Sequence, residues 1–261
     1  MSLGAYNGTN TGVSGGLVTL ENPGVDSGVK ALDVNTRIVT TDLRLYFNPS
    51  DPRSYPGSGT TLFDLSGNGY NGTLNNGAGF SNSNGGCIVT DGINDSVTTA
   101  AASLGSASSN FSYGGWYRCT DFNNAKYILV RGRDNFGGGW SLFAFVGTDR
   151  LPQASFVYTS PSTVAVGCQG PIPIRLNTWF HIMGVWVNGV GISLYINGQF
   201  QNSVSTTGTT LRSSTSGWNL GTVSNSTFSS GQSGIMYVYT RALTPAEINQ
   251  NFQAHRKKYG V

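Results

Sequence analysis

Two Asn-Gly dipeptides, Asn188-Gly189 and Asn197-Gly198, lie between runs of alternating apolar residues, and they restrict the fold more than any other feature. Asn and Gly tolerate positive φ, which the tight turns of antiparallel hairpins require. Phe180–Val187, Ile192–Ile196 and the stretch opening at Phe200 are therefore expected to form a three-stranded meander. In its middle strand Ile192, Leu194 and Ile196 share one face by the period of two. Leu43–Phe47, Phe111–Cys119, Tyr127–Arg131, Trp140–Val146 and Gly234–Thr240 read as further strands. Composition agrees with many short strands and many turns. Gly supplies 37 of 261 residues, and charged residues are 10% of the chain against roughly 25% in a typical domain.

One helix is expected, at the end of the chain. Thr244 is placed as its N-cap, Pro245 at the first helical position and Glu247 where it completes a capping box. Leu243 and Ile248 fall where a hydrophobic staple forms. Ile248, Phe252, His255 and Tyr259 recur at helical spacing, and Gly260 stops the helix. Residues 1–41 differ from the rest. They carry one aromatic, Tyr6, and short β-like runs at Leu17–Leu20 and Val29–Val39. An extended N-terminal arm over 1–41 is expected ahead of a single domain over 42–261.

Charge narrows the partners. The net charge is +3, matched by Arg256, Lys257 and Lys258 alone, so no basic face is expected for nucleic acid. That triplet complements the C-terminal end of the helix dipole. No window approaches the roughly 18 apolar residues that span a bilayer. Met1–Ala5 lacks the basic-then-apolar pattern of a secretion signal, so none is expected. Cys87, Cys119 and Cys168 are odd in number and lie in or beside apolar runs, which reads as buried free thiols.

Six fragments, in order, carry a resemblance. They are Leu43–Phe47 with Ser54–Gly59 and Asp64–Gly72, then Asp91-Gly92-Ile93-Asn94-Asp95, then Phe111–Trp116. Asn177–His181, Tyr195-Ile196-Asn197-Gly198 and Arg241–Thr244 with Glu247-Ile248 complete the set. Over roughly 43–259 the chain resembles the laminin-G-like domains of the concanavalin A-like lectin/glucanase superfamily, in the form carried by phage structural proteins. The resemblance implies an all-β jelly-roll β-sandwich of two antiparallel sheets with one short C-terminal helix. It also implies a virion protein: an outer head component or capsid decoration, anchored through the arm to capsid or to neighbouring copies of itself. The alternative it implies is a carbohydrate-binding adhesin, on a tail fibre or a cell surface, with a host-surface glycan as partner.

No catalytic residues are assigned. Glycoside hydrolysis uses a pair of carboxylates flanking the scissile bond. The chain has two Glu, of which Glu21 is in the arm and Glu247 in the helix cap, and no strand carries carboxylates at i and i+2. His181 and His255 lack a Gly-x-Ser-x-Gly partner and are expected to pack rather than react. Asp64-x-Ser66-x-Asn68-Gly69 echoes the first half of a calcium loop, but Asn75 stands where the bidentate Glu belongs. Asp91, Asn94 and Asp95 form a second oxygen cluster in a turn. Asx side chains build turns with the same oxygens, so turn and calcium roles both stay open for Asp64, Asn68, Asp91 and Asp95, and no other cofactor is expected. Among aromatics near loops, Trp140, Tyr70 and Trp218 are the candidates for stacking on a sugar, with core packing the competing role.

Overall fold

The computed structural model describes residues 37–100, 110–131, 142–158, 164–207, 217–224 and 227–261. It is a sandwich of two antiparallel sheets with one helix on the outside. The strands are β1 (Leu43–Phe47), β2 (Thr61–Leu62), β3 (Gly72–Asn75), β4 (Gly79–Ser81), β5 (Cys87–Asp91) and β6 (Ser96–Thr99). Next come β7 (Phe111–Cys119), β8 (Lys126–Arg131), β9 (Leu142–Val146), β10 (Pro152–Tyr158) and β11 (Val164–Gln169). The chain continues through β12 (Trp179–Val187), β13 (Gly191–Ile196), β14 (Gln199–Ser205), β15 (Trp218–Leu220), β16 (Thr222–Ser224), β17 (Thr227–Phe228) and β18 (Ser230–Tyr239). Helix α1 (Pro245–Tyr259) closes it.

The first sheet runs β14-β13-β12-β7-β18-β5-β4, with β1 also paired to β18. The second runs β11-β10-β9-β8-β15-β6-β3-β2. The expected meander is present as β12–β14. At its second turn Asn197 (φ 51°) and Gly198 (φ 75°) both take positive φ, the combination that matches the twist of a two-residue hairpin. Residues 114 and 115 of β7 are glycine for a different reason. A Cβ on Gly114 would lie 2.0 Å from the Ile182 carbonyl oxygen, and one on Gly115 2.2 Å from that of Ile235.

The core has two layers. Between the sheets lie Phe47, Phe111, Tyr113, Phe156, Trp186, Trp218 and their neighbours. The second layer is on the outer face of the first sheet, where α1 covers Trp116, Trp179, Met183, Ile235 and Tyr237 with Ile248, Phe252 and Tyr259. That is why β7, β12 and β18 are buried along almost their whole length rather than on alternate residues. Trp116 is wholly buried and stacks on Tyr259 at 4.3 Å and on Phe252 at 5.6 Å. Burying each such aromatic removes enough apolar surface to contribute about 2–3 kcal/mol.

The helix is built as its sequence dictates. The Thr244 side chain accepts from the Glu247 amide, and Glu247 accepts from the Thr244 amide at 2.8 Å. Arg241 holds the same carboxylate through two nitrogens, at 2.6 and 2.8 Å. That guanidinium is the main cause lowering the Glu247 carboxyl to about 2. Gly260 ends the helix in the left-handed region at φ 72°. Residues 37–41 lie on this helix. The Val39 amide donates to Asn251 Oδ1 at 2.8 Å, and the Tyr239 hydroxyl donates to the Val39 carbonyl at 2.9 Å. The rest of the expected arm, 1–36, lies outside the described residues. Cys87, Cys119 and Cys168 are free and buried.

Candidate recognition face

Among the described residues no helix covers the outer side of the second sheet, where Thr73 and Gly167 are exposed while Val130 and Ser155 are buried. Register fixes which residues share it. Thr61 pairs with Thr73, Thr73 with Thr98, Thr98 with Asn219 and Asn219 with Val130. The row continues through position 143 to Ser155 and Gly167. One cross-strand line thus runs over all eight strands, about 34 Å at the usual strand spacing. A parallel row holds Tyr127, Phe145, Gln153 and Gln169.

The partition between inside and outside is consistent. Leu129, Ala144, Ala154, Phe156 and Trp218 point into the inter-sheet core. Val130, Tyr127 and Phe145 form a separate small cluster outside it. The Tyr127 and Phe145 rings stack at 5.6 Å with 23° between planes, and both are half-buried. Partial burial raises the Tyr127 hydroxyl above the usual tyrosine range. Beside the rings stand hydroxyls and amides. Asn75 Nδ2 donates to Thr98 Oγ1 at 3.0 Å, and Gln153 Nε2 donates to Ser155 Oγ at 2.7 Å. Neither row contains a charged residue. Chemically, such a face offers ring surface plus neutral donors and acceptors, the groups that match a polyhydroxylated, uncharged ligand.

The residues singled out from sequence lie elsewhere. Trp218 is wholly buried between the sheets, opposite Arg131, and presents no ring face to a ligand. Its assignment as a stacking residue is corrected: on β15 the alternation turns Trp218 and Leu220 inward and leaves Asn219 outside. Tyr70 is half-buried against the core, with the Arg44 guanidinium 4.9 Å over its ring and hydrogen-bonded to its hydroxyl. Trp140 lies outside the described residues.

The oxygen clusters organise turns. Asp64 Oδ1 accepts from the Tyr46 and Ser66 amides, both at 2.9 Å. Its Oδ2 accepts from Ser66 Oγ at 2.8 Å and the Tyr70 amide at 3.1 Å. Asn68 Nδ2 donates to the Leu43 and Arg44 carbonyls, both at 3.1 Å. Asp91 Oδ1 accepts from the Ile93 amide at 2.8 Å and the Asn94 amide at 3.3 Å. These backbone donors, Ile93 first, hold its carboxyl below the usual range. Asp95 is buried, accepts from the Asp91 amide at 3.1 Å, and is raised first by burial and then by the Asp91 charge. Among the described residues no three His, Cys, Asp or Glu side chains gather to hold a metal.

The two antiparallel sheets and the outer helix define a jelly-roll sandwich of the kind found in binding domains and hydrolases alike. Residues 91–249 match the laminin-G family model of the concanavalin A-like lectin/glucanases superfamily, and the chain belongs to that family. No curated protein matches it in sequence. Among solved structures, the chain is similar to the Trypanosoma rangeli sialidase (TM-score 0.61, 16% identity, 85% of this chain and 34% of that one). It is similar to the botulinum neurotoxin serotype G binding domain (TM-score 0.60, 16% identity, 80% and 50%). It also resembles the binding domain of Paraclostridial Mosquitocidal Protein 1 (TM-score 0.60, 19% identity, 82% and 52%). The chain spans about a third to a half of these structures' length, and at such identities the likeness is one of fold.

Proposed function

We propose that the chain is a non-enzymatic recognition module displayed on the outside of a phage particle, and that it reads a neutral glycan with the outer face of its second sheet. The observation that carries the reading is the uncharged row of Thr61, Thr73, Thr98 and Asn219, exposed or half-buried, on the same sheet as the half-buried, stacked Tyr127 and Phe145. The commitment of carboxylates supports a non-catalytic role. Glu247 is held by Arg241 and the helix cap, Asp121 by Lys126, and Asp64 by four protein donors. Two of the fold neighbours are binding domains by name, which fits recognition. The phage setting rests on the motif resemblance, and its finer form is an outer head component anchored through residues 1–41. The second form, an adhesin on a tail fibre, uses the same face.

Immunogold electron microscopy of particles, with an antibody to the body domain, separates the two. Gold over heads supports the head component, gold confined to tails supports the fibre adhesin, and unlabelled particles sink the virion setting. Binding to glycans is expected in the millimolar-to-micromolar range, about 4–8 kcal/mol. Silence across a broad neutral-glycan panel, with calcium and with chelator, sinks the recognition reading.

A further inference from the structure

Two histidines occupy the layer between α1 and the first sheet, and nothing in the recognition face uses them. His181, on β12, is wholly buried. Its Nε2 lies 3.0 Å from the Tyr237 hydroxyl, and its Nδ1 is sealed from solvent with no hydrogen-bond partner. Its ring sits 5.2 Å from Trp116 of β7 and 6.0 Å from Phe252 of α1. His255 is on α1, one turn beyond Phe252, and its Nδ1 is also buried.

The groups around the pair are neutral or cationic. From β18 comes the Tyr237 phenol, from β7 the Trp116 indole, from the β13–β14 turn the Asn197 side chain, which receives the His181 amide. From α1 itself come the Asn251 carbonyl, which favours a charged His255, and Lys258, which opposes it. The other cations of the last turn are Arg256 and Lys257. Cys87 of β5 lies near Lys258. The one carboxylate on α1, Glu247, is two turns upstream and is bound by Arg241. Among the described residues, a charge placed on either imidazole therefore meets an apolar layer and the other imidazole, with the Lys258 ammonium also opposing it at His255 and no counter-ion beside the pair. Burial is the first cause depressing both, His181 to about 3 and His255 to about 4.

We propose that α1 is an acid-released latch: charging His181 and His255 opens the helix from the first sheet and uncovers the apolar face around Trp116, Met183 and Tyr237, while the inter-sheet core persists. Both histidines of the chain belong to the helix layer, so their protonation acts first there. With an ordinary pKa of about 6.5 once the layer is open, each histidine raises the opening equilibrium about 20-fold between about pH 7 and pH 5, and the two together several-hundred-fold.

Hydrogen exchange of the full chain, corrected for intrinsic rates, reads this directly. The amides of Ile248–Tyr259 are expected to lose protection several-hundred-fold at the lower pH, with β8–β10 amides nearly unchanged. Equal loss in helix and strands means whole-domain acid unfolding and overturns the latch, as does an unchanged helix. His255→Gln, a substitution at a partly exposed position, is expected to fold and to cut the pH effect to about 20-fold. Full pH dependence in that variant overturns the proposal. So does an imidazole of the native protein titrating near the ordinary value by NMR.

Discussion

Replacing Phe252 with alanine tests whether α1 seals a true second core. Phe252 is 6% exposed and lies 5.6 Å from Trp116 and 6.0 Å from His181. Its ring seats tightly over the β13–β14 turn, where a Cβ on Gly198 would come within 3.0 Å of it. Removing a buried phenylalanine ring costs about 3–5 kcal/mol through lost transfer energy and the cavity left behind. Alanine's better helix preference offsets about 0.5 kcal/mol of that. A net loss of about 3 kcal/mol is expected, which lowers the melting temperature of a body this size by about 6–12 °C. Urea unfolding with an unchanged m-value is the assay. Phe200→Ala, at a residue 57% exposed, is the control and is expected within about 0.5 kcal/mol of wild type. A loss under about 1 kcal/mol for Phe252→Ala would show that the helix merely rests on the sheet, refuting a sealed second core.

Other predictions follow from the same geometry. Both histidines have depressed folded values, so the unfolded chain takes up protons first as the pH falls. Stability is then complete above about pH 6.5 and declines toward about pH 4, by roughly 4–5 kcal/mol at pH 4.5 from the pair; a flat urea midpoint over that range contradicts their burial. Asp64→Asn keeps one acceptor oxygen but turns the other into a donor facing two of the four protein donors, and is expected to cost about 1–3 kcal/mol, equally with calcium or chelator present. A loss seen only with calcium would assign Asp64 to a metal. Trp218→Phe is expected to lower stability and leave any glycan affinity unchanged, whereas Tyr127→Ala is expected to weaken glycan binding about tenfold, the loss of about 1.4 kcal/mol of stacking. The reverse pattern in a binding titration places the ligand elsewhere.

Much of the framework was legible in the sequence, and the reasons are specific. β1, β7 and the meander β12–β14 were readable because apolar residues alternate or run between Asn-Gly turns. The capping box fixed the start of α1 at Pro245, and Gly260 fixed its end. The short strands β2–β6 were not readable, since segments such as Gly72–Asn75 and Ser96–Thr99 have too few apolar residues to show a period. Pro152–Tyr158 opens on a proline and carries Gln153 and Ser155, which conceals a strand. β18 begins at Ser230, four residues before the apolar run at Gly234, because the polar lead-in pairs with β5 and β7.

The recognition face was invisible for a further reason. Its residues come from separate strands between Thr61 and Asn219, and no local spacing joins them; only the pairing register does. Trp218 misled because the Ser/Thr/Gly-rich stretch before it reads as a loop, while its direction depends on pairing with Arg131. The His181 and His255 pair was legible as packed residues, but their closeness needed the helix to be laid on the sheet.

The most direct test of the recognition reading is an amide chemical-shift titration of the labelled domain with neutral oligosaccharides. The account predicts perturbations that follow Thr73, Thr98 and Asn219 across the second sheet and spread to Tyr127 and Phe145. Perturbations confined to the turns at the ends of the sandwich, or none with any neutral sugar, contradict it.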